Sequence, residues 1–263
     1  MNGPAHHKLP RVAIVTGASK GIGHDIALRL ADDGLDITIN SRNAAELEVV
    51  AAEIRAKGRK VLAFVGDVSD EDAVKGMVGK TVETLGRLDV MVANAGIGFV
   101  SSVVDMDLKD WNRCMDCNLA STMLCYKYAA RQMIDQGEGG RIIGASSILG
   151  KKGGPNSSAY VATKFAIRGL TQCLAIELAP HNITVNTYAP GVILTPMTDV
   201  GALDQQYGGS PGAYTKHVCG IPPDGPHSSS GDPVASVVSY LAKPEAYFIT
   251  GQSIGVDGGV VFS

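Results

Sequence analysis

Tyr160 and Lys164 stand four residues apart in the stretch SSAYVATK, a spacing that makes them neighbours on one helix face. A free phenol titrates near pH 10, too high to exchange protons readily at neutrality, but an ammonium within about 4–6 Å stabilises the phenolate and lowers that value. The pair could therefore give a proton to an oxygen or take one from it. Ser147 directly follows the apolar run RIIGAS and stands thirteen residues before Tyr160. Its hydroxyl could hold a substrate oxygen while the proton moves, or it could simply cap a turn.

These side chains need mounts. Seven short β-branched or apolar runs (VAIVTG, LDITIN, KVLAFVGD, LDVMVANAG, RIIGAS, ITVNTYAPG and QSIGVDGG) alternate with longer stretches such as HDIALRLADDG and AAELEVVAAEIRAKG. The latter are apolar at i, i+3, i+4 and i+7 and stop at Gly34 and Gly58. Such alternation predicts an α/β fold, a doubly wound Rossmann-type sheet of seven parallel strands with helices on both faces. One domain over residues 10–263 follows a polar tail over 1–9, predicted to be flexible. From Thr195 to Asp232 the periodicity fails amid Gly, Pro and Ser residues, which predicts a mobile lid with Leu203, Tyr207 and Tyr214 as its apolar or stacking surface.

The first strand runs into GASKGIG, so Gly17, Gly21 and Gly23 fall where a strand turns into a helix N-terminus. Glycines there let backbone N–H groups approach phosphate oxygens, and the helix dipole favours the negative charge. The spacing is G-x3-G-x-G rather than the commoner G-x-G-x-x-G. Ser19, Lys20 and Ile22 belong to the same turn. At the end of the second strand, where an NAD site places a carboxylate for the ribose hydroxyl, stand Ser41 and Arg42. Arg42 and Lys20 are the two cations positioned for a 2'-phosphate, which favours NADP(H) over NAD(H). Hydride transfer from a nicotinamide to a carbonyl leaves an alkoxide, the oxygen that Tyr160 and Ser147 could serve.

Composition narrows the class. A net charge of -3 and a pI of 6.1 provide no basic stripe for nucleic acid and no cationic helix for an acidic membrane. The five cysteines are an odd, scattered set suited to a reducing compartment, and Cys114-x2-Cys117 lacks the second pair that a zinc site needs, so no metal is expected. The N-terminus is polar and no run reaches the length of a membrane span, which points to a cytoplasmic protein.

TGASKGIG (Thr16 to Gly23), NAG (Asn94 to Gly96), Asn118 in CNLAST, SSILG (Ser146 to Gly150), YVATK and PGVILTPM (Pro190 to Met197) occur in the order found in the short-chain dehydrogenase/reductase family, which the chain resembles from Val12 to Gly259. The resemblance implies a catalytic tetrad of Asn118, Ser147, Tyr160 and Lys164, with Ser146 a structural neighbour and Asn118 holding a water that joins Lys164 to solvent. It implies that Asp67 and Val68 bracket adenine, that Asn94, Ala95 and Gly96 lie beside the ribose, and that Pro190, Gly191, Ile193 and Thr195 orient the nicotinamide. It also implies a homotetramer. KFAIRGLTQ and the C-terminal stretch look like the diacetyl/acetoin reductase (butanediol dehydrogenase) branch, which favours an acetoin-like carbonyl as substrate. Ile148 and Leu149 after the serine, Gly153 and Gly154, and Ser41-Arg42 depart from that branch and suit a bulkier ring ketone or secondary alcohol, such as a terpenoid. A third reading keeps the fold as a non-catalytic nucleotide-binding protein.

Overall fold

The computed structural model describes residues 11–222, 225 and 228–262. The tail over residues 1–9 lies outside the described residues. In chain order the strands are β1 (Val12–Thr16), β2 (Asp36–Ser41), β3 (Val61–Val65), β4 (Val90–Ala93), β5 (Gly140–Ala145), β6 (Ile183–Pro190), the two-residue β7 (Val192–Ile193) and β8 (Ser228–Ser229), and β9 (Ser253–Val256). The helices are α1 (Gly21–Asp32), α2 (Ala44–Ala56), α3 (Glu71–Leu85), α4 (Leu108–Met115), α5 (Ser121–Gln136), α6 (Ser158–Leu178), α7 (Ala202–Gln206), α8 (Ala213–Val218) and α9 (Asp232–Ala242). Each of the seven runs singled out in the sequence supplies one strand of a parallel sheet ordered β3-β2-β1-β4-β5-β6-β9. The winding reverses between β1 and β4, and at such a switch point the carboxyl ends of the strands leave a crevice.

The alternation of side chains along each strand builds two cores. Ala13 and Val15 of β1 face Ile26 and Leu30 of α1, Leu47 and Ile54 of α2, and Val238 and Leu241 of α9. Ile14 faces the other way, toward Met77 of α3, Leu124 and Met133 of α5, and Leu178 of α6. Each large aliphatic side chain so buried contributes about 1.5–3 kcal/mol, and the sheet between these layers is a stiff mount for its strand ends. Two helix starts are capped by side chains: Asn43 accepts from the N–H groups of Ala45 and Glu46, and Asp70 from those of Asp72 and Ala73. No helix among the described residues is long and apolar enough to cross a membrane.

Two features go beyond the sequence patterns. Helix α4 runs into α5 through a π-turn at Asp116–Ala120, which re-aims the side chains at the point where Asn118 sits. The segment from Thr195 to Asp232 is not without structure, since it carries α7 and α8 and its β8 pairs with β7 just before it. Helices of five and six residues are too short to show a 3.6-residue period. The glycines that broke the pattern sit at their starts, with Gly201 and Gly212 at positive φ. Buried Asp204 holds this segment together, accepting from the N–H groups of Val200 (3.1 Å), Gly212 (3.1 Å) and Tyr214 (2.9 Å).

Candidate active site

At the switch point the chain leaves β1 through Gly17 (φ 63°) and Gly21 (φ 59°), conformations that favour glycine, and enters α1. The first-turn N–H groups of α1 have no partner within the helix and face the crevice as an anion cradle. Gly23 admits no side chain at all: a Cβ there would overlap the Gly17 carbonyl and the Asn94 amide. Gly23→Ala is therefore expected to raise the nucleotide Kd at least tenfold or to destabilise the chain by about 1–3 kcal/mol, as measured by nucleotide titration and thermal melting. An alanine variant with parental values in both would show that the turn has been misassigned.

At the end of β2, buried Ser41 shares hydrogen bonds with the backbone of Asn43, and its hydroxyl is no carboxylate. Arg42 is 65% exposed and only loosely paired, its Nη1 3.8 Å from Asp67. Asp67 is engaged by the N–H and hydroxyl of Ser69 at 2.9 and 2.7 Å, and the backbone bond above all holds its carboxyl below the usual range. Asn40, which the sequence analysis passed over, donates to the carbonyls of Phe64 and Gly66, while its own carbonyl accepts from Ala18 of the glycine turn. It thereby ties β3 and the cradle to β2.

On α6, Tyr160 and Lys164 meet as the spacing requires, with Nζ 5.3 Å from the centre of the phenol ring. Lys164 is buried and donates to the carbonyl of Ala145 at 2.8 Å. Burial lowers its pKa to about 8. The phenol departs from expectation: burial pushes it up to about 12, against the opposing effect of a hydrogen bond with Ser147. Loss of solvation is the dominant cause, and the ammonium lies toward the ring centre rather than at the hydroxyl. Ser147 also accepts from the Leu149 N–H at 3.1 Å, so the turn-capping role and the bond to Tyr160 coexist. Ser146 donates to the Lys164 carbonyl and steadies α6. Asn118 is fully buried; its Oδ1 accepts from the Ile97 N–H at 2.7 Å, and its Nδ2 donates to the Ile97 carbonyl and to Thr163. The side chain is thus a brace between the π-turn and the loop after β4.

Two strands' ends, a phosphate cradle and the Tyr160–Lys164 pair share one crevice, with Ser147 bonded to Tyr160 behind it, and the family of the short chain dehydrogenases matches residues 11–206 of this chain. The chain belongs to that family. A short-chain dehydrogenase/reductase of Armillaria gallica is 50% identical over 263 residues, covering 96% of each chain. Among solved structures, acetoin dehydrogenase from Enterobacter cloacae is 35% identical with a TM-score of 0.82, covering 97% of this chain and 96% of its own. Carveol dehydrogenase from Mycobacterium avium, in complex with NAD, is 29% identical with a TM-score of 0.89, covering 96% of this chain and 98% of its own. This short-chain dehydrogenase is thus an NAD(P)-dependent oxidoreductase acting on CH–OH groups, and the non-catalytic reading falls away.

The dehydrogenase's crevice has a volume of about 510 Å³. It is lined by Gly17, Ser19, Lys20, Gly21, Ile22 and Gly23 of the cradle, by Ser41, Arg42, Asp67 and Val68, by Asn94, Ala95 and Gly96, and by Tyr160, Lys164, Pro190 and Thr195. Ile193 instead turns into the core, and Gly191 packs on Asp257, so both support the wall from behind. Beyond Tyr160 lies an apolar cluster of Ile148, Leu149, Val192, Tyr214, Val218, Cys219 and Ile221. Tyr214 is not the free stacking surface expected of a lid: it is buried, with Tyr207 edge-on at 5.3 Å. Among residues that sequence reasoning missed, Cys117, Tyr188 and Met197 also line the crevice. Cys117 and Met197 lie inside motifs already quoted and Tyr188 inside a strand run, but only the folded contacts bring their side chains to the crevice. No group of His, Cys, Asp or Glu able to hold a metal occurs among the described residues.

Proposed function

We propose that this protein is an NADP(H)-dependent ketone reductase and secondary-alcohol dehydrogenase in which Tyr160 is the proton donor, Ser147 holds the substrate oxygen, and Lys164 with Asn118 sustains the proton relay. The observation that carries the reading is that Tyr160 and Lys164 line the same crevice as the glycine cradle, with Ser147 hydrogen-bonded to Tyr160 just behind that lining. The cradle fits a dinucleotide: Gly23 leaves no room for a side chain where phosphate must approach. The nucleotide, when bound, supplies or accepts the hydride. Tyr160, kept neutral by burial, is held in the acid form that ketone reduction consumes. The Ser147 hydroxyl then stands where a second donor to the nascent alkoxide is wanted.

Arg42 and Lys20 support NADP(H), with exposed cations where a carboxylate would otherwise meet the ribose. Arg42→Ala is expected to raise the Kd for NADPH by about tenfold or more while changing that for NADH less than about twofold, since a charged hydrogen bond of roughly 1.5–3 kcal/mol is removed from only one of them. Equal losses, or a parental preference for NADH like that suggested by the NAD-bound neighbour, would overturn the cofactor assignment.

The apolar cluster against Tyr160 supports an apolar ring ketone or alcohol as substrate. An acetoin-like carbonyl is the second reading, favoured by the likeness to acetoin dehydrogenase. Initial rates with NADPH on a panel of cyclic terpenoid ketones, acetoin and diacetyl decide between them by kcat/KM. A homotetramer belongs to the same reading; exposed Phe165 and Ile176 on α6, and Phe248 and Phe262 near the C-terminus, are the side chains that association would cover.

A further inference from the structure

We infer that Tyr188 is a positioning residue for the nucleotide, acting through the amide of Asn94 on the glycine turn. Tyr188 lies on β6, fully buried, with its ring on the wall of the crevice. Its hydroxyl donates to Asn94 Oδ1 at 2.8 Å. The Nδ2 of the same amide donates to the carbonyls of Thr16 (2.8 Å) and Gly17 (3.2 Å), the residues at which β1 opens into the turn.

Chemistry fixes the polarity of this chain of bonds. Backbone carbonyls only accept, so the amide nitrogen must face Thr16 and Gly17 and its oxygen must face Tyr188, which must then be the donor. Burial holds the Tyr188 phenol protonated and keeps it available for that role. The Gly17 to Ala18 peptide is consequently gripped at both ends, its carbonyl by Asn94 and its N–H by the Asn40 carbonyl at 2.9 Å. Asn94 is itself anchored through its N–H to Thr16 Oγ1 at 3.0 Å. Tyr188 is the remote end of the grip, and it reaches from the nicotinamide side of the crevice to the phosphate side. Without its hydroxyl, the half-buried Oδ1 loses its only protein donor among the described residues, the amide loses its fixed aim, and the turn no longer arrives preorganised for phosphate.

The inference rests on the dinucleotide reading above, and the experiment separates the two. NADPH and NADH are titrated, by quenching of protein fluorescence or by calorimetry, against the full-length parent, Tyr188→Phe, Asn94→Ala and the double variant. Tyr188→Phe is expected to raise Kd for both nucleotides alike by about fivefold to thirtyfold. Its kcat at saturating nucleotide should stay within about threefold of the parent, with an unchanged ketone KM, because substrate and Tyr160 are untouched. In the Asn94→Ala background the same substitution should change Kd less than about twofold, as expected of residues acting in series. Parental affinity in Tyr188→Phe, or losses that multiply in the double variant, would overturn the inference. Asn94→Asp probes the same node should the Phe variant fail to fold: it sets an acceptor against two carbonyls and should lose at least as much affinity, and parental affinity there would equally overturn it. A parent that binds neither nucleotide would bring down the dinucleotide reading and this inference with it.

Discussion

Tyr160→Phe is expected to lower kcat for ketone reduction by about 10²–10⁴-fold while leaving the Kd for NADPH within about threefold of the parent. Only one hydroxyl is removed, from a half-buried ring that packs on Leu149 and its neighbours, so the fold and the cradle keep their shape. The loss falls on the chemical step because the alkoxide formed by hydride arrival then has no acid within reach. Ser147 remains as a donor that holds the oxygen, but it passes on no proton. Single-turnover oxidation of bound NADPH by excess ketone isolates that step from product release. Turnover within a few-fold of the parent would remove Tyr160 from the mechanism. The high pKa of the phenol bears on direction as well. A phenol pushed up to about 12 stays protonated across the working range, so the phenolate that alcohol oxidation requires is scarce there and oxidation should climb with pH across a range where reduction does not.

The sheet was legible because each strand is a short apolar run bounded by turn residues, and in the inner strands burial on both faces makes that run nearly continuous. β2, Asp36–Ser41, is buried at every position, and nothing in its neighbourhood competes for the assignment. Tyr160 and Lys164 were legible for a related reason: a four-residue spacing on a helix leaves little freedom over whether two side chains meet. What stayed hidden depends on contacts between distant segments. Tyr188 reads in sequence as one more core residue of β6, and its bond spans 94 positions to Asn94. The order of α7 and α8 comes from Asp204, a carboxylate that loop composition marks as solvated but that folding buries under three backbone donors. The phenol's upward shift was hidden too, because spacing announces the neighbouring ammonium but says nothing of how much water the fold removes. Arg42 was visible in the sequence as a cation just after the second strand, yet only the structure shows it loosely paired, 3.8 Å from Asp67.

Lys164→Met is expected to cost on the order of 10²–10³-fold in kcat and, unlike a structural lesion, to leave the melting temperature of the ligand-free protein at neutral pH no lower than that of the parent. Loss of the ammonium removes the charge that biases Tyr160 and, with it, the contact to Ala145. The stability side follows from where the group titrates. Lys164 is 4% exposed and its folded-state pKa is lowered to about 8 from 10.5. Between those two values the unfolded chain binds more protons than the folded one, so the parent gains stability as pH rises through that window. Below about pH 8 it carries a buried cation whose desolvation opposes folding. Methionine has a similar stem and no charge; it escapes that cost, set against about 1–2 kcal/mol for leaving the Ala145 carbonyl unpartnered. The difference in melting temperature between Lys164→Met and parent should therefore be most favourable to the variant near pH 7 and should shrink as pH rises from 8 to 9.5, below the range where the tyrosines begin to ionise. The activity of the parent carries the same signature. Ketone reduction should decline as pH rises past about 8, where the ammonium is lost, and the limb should be absent from the residual activity of the variant. A melting difference that does not vary with pH, or a parental limb that persists in Lys164→Met, would show that the buried ammonium is not the group that titrates.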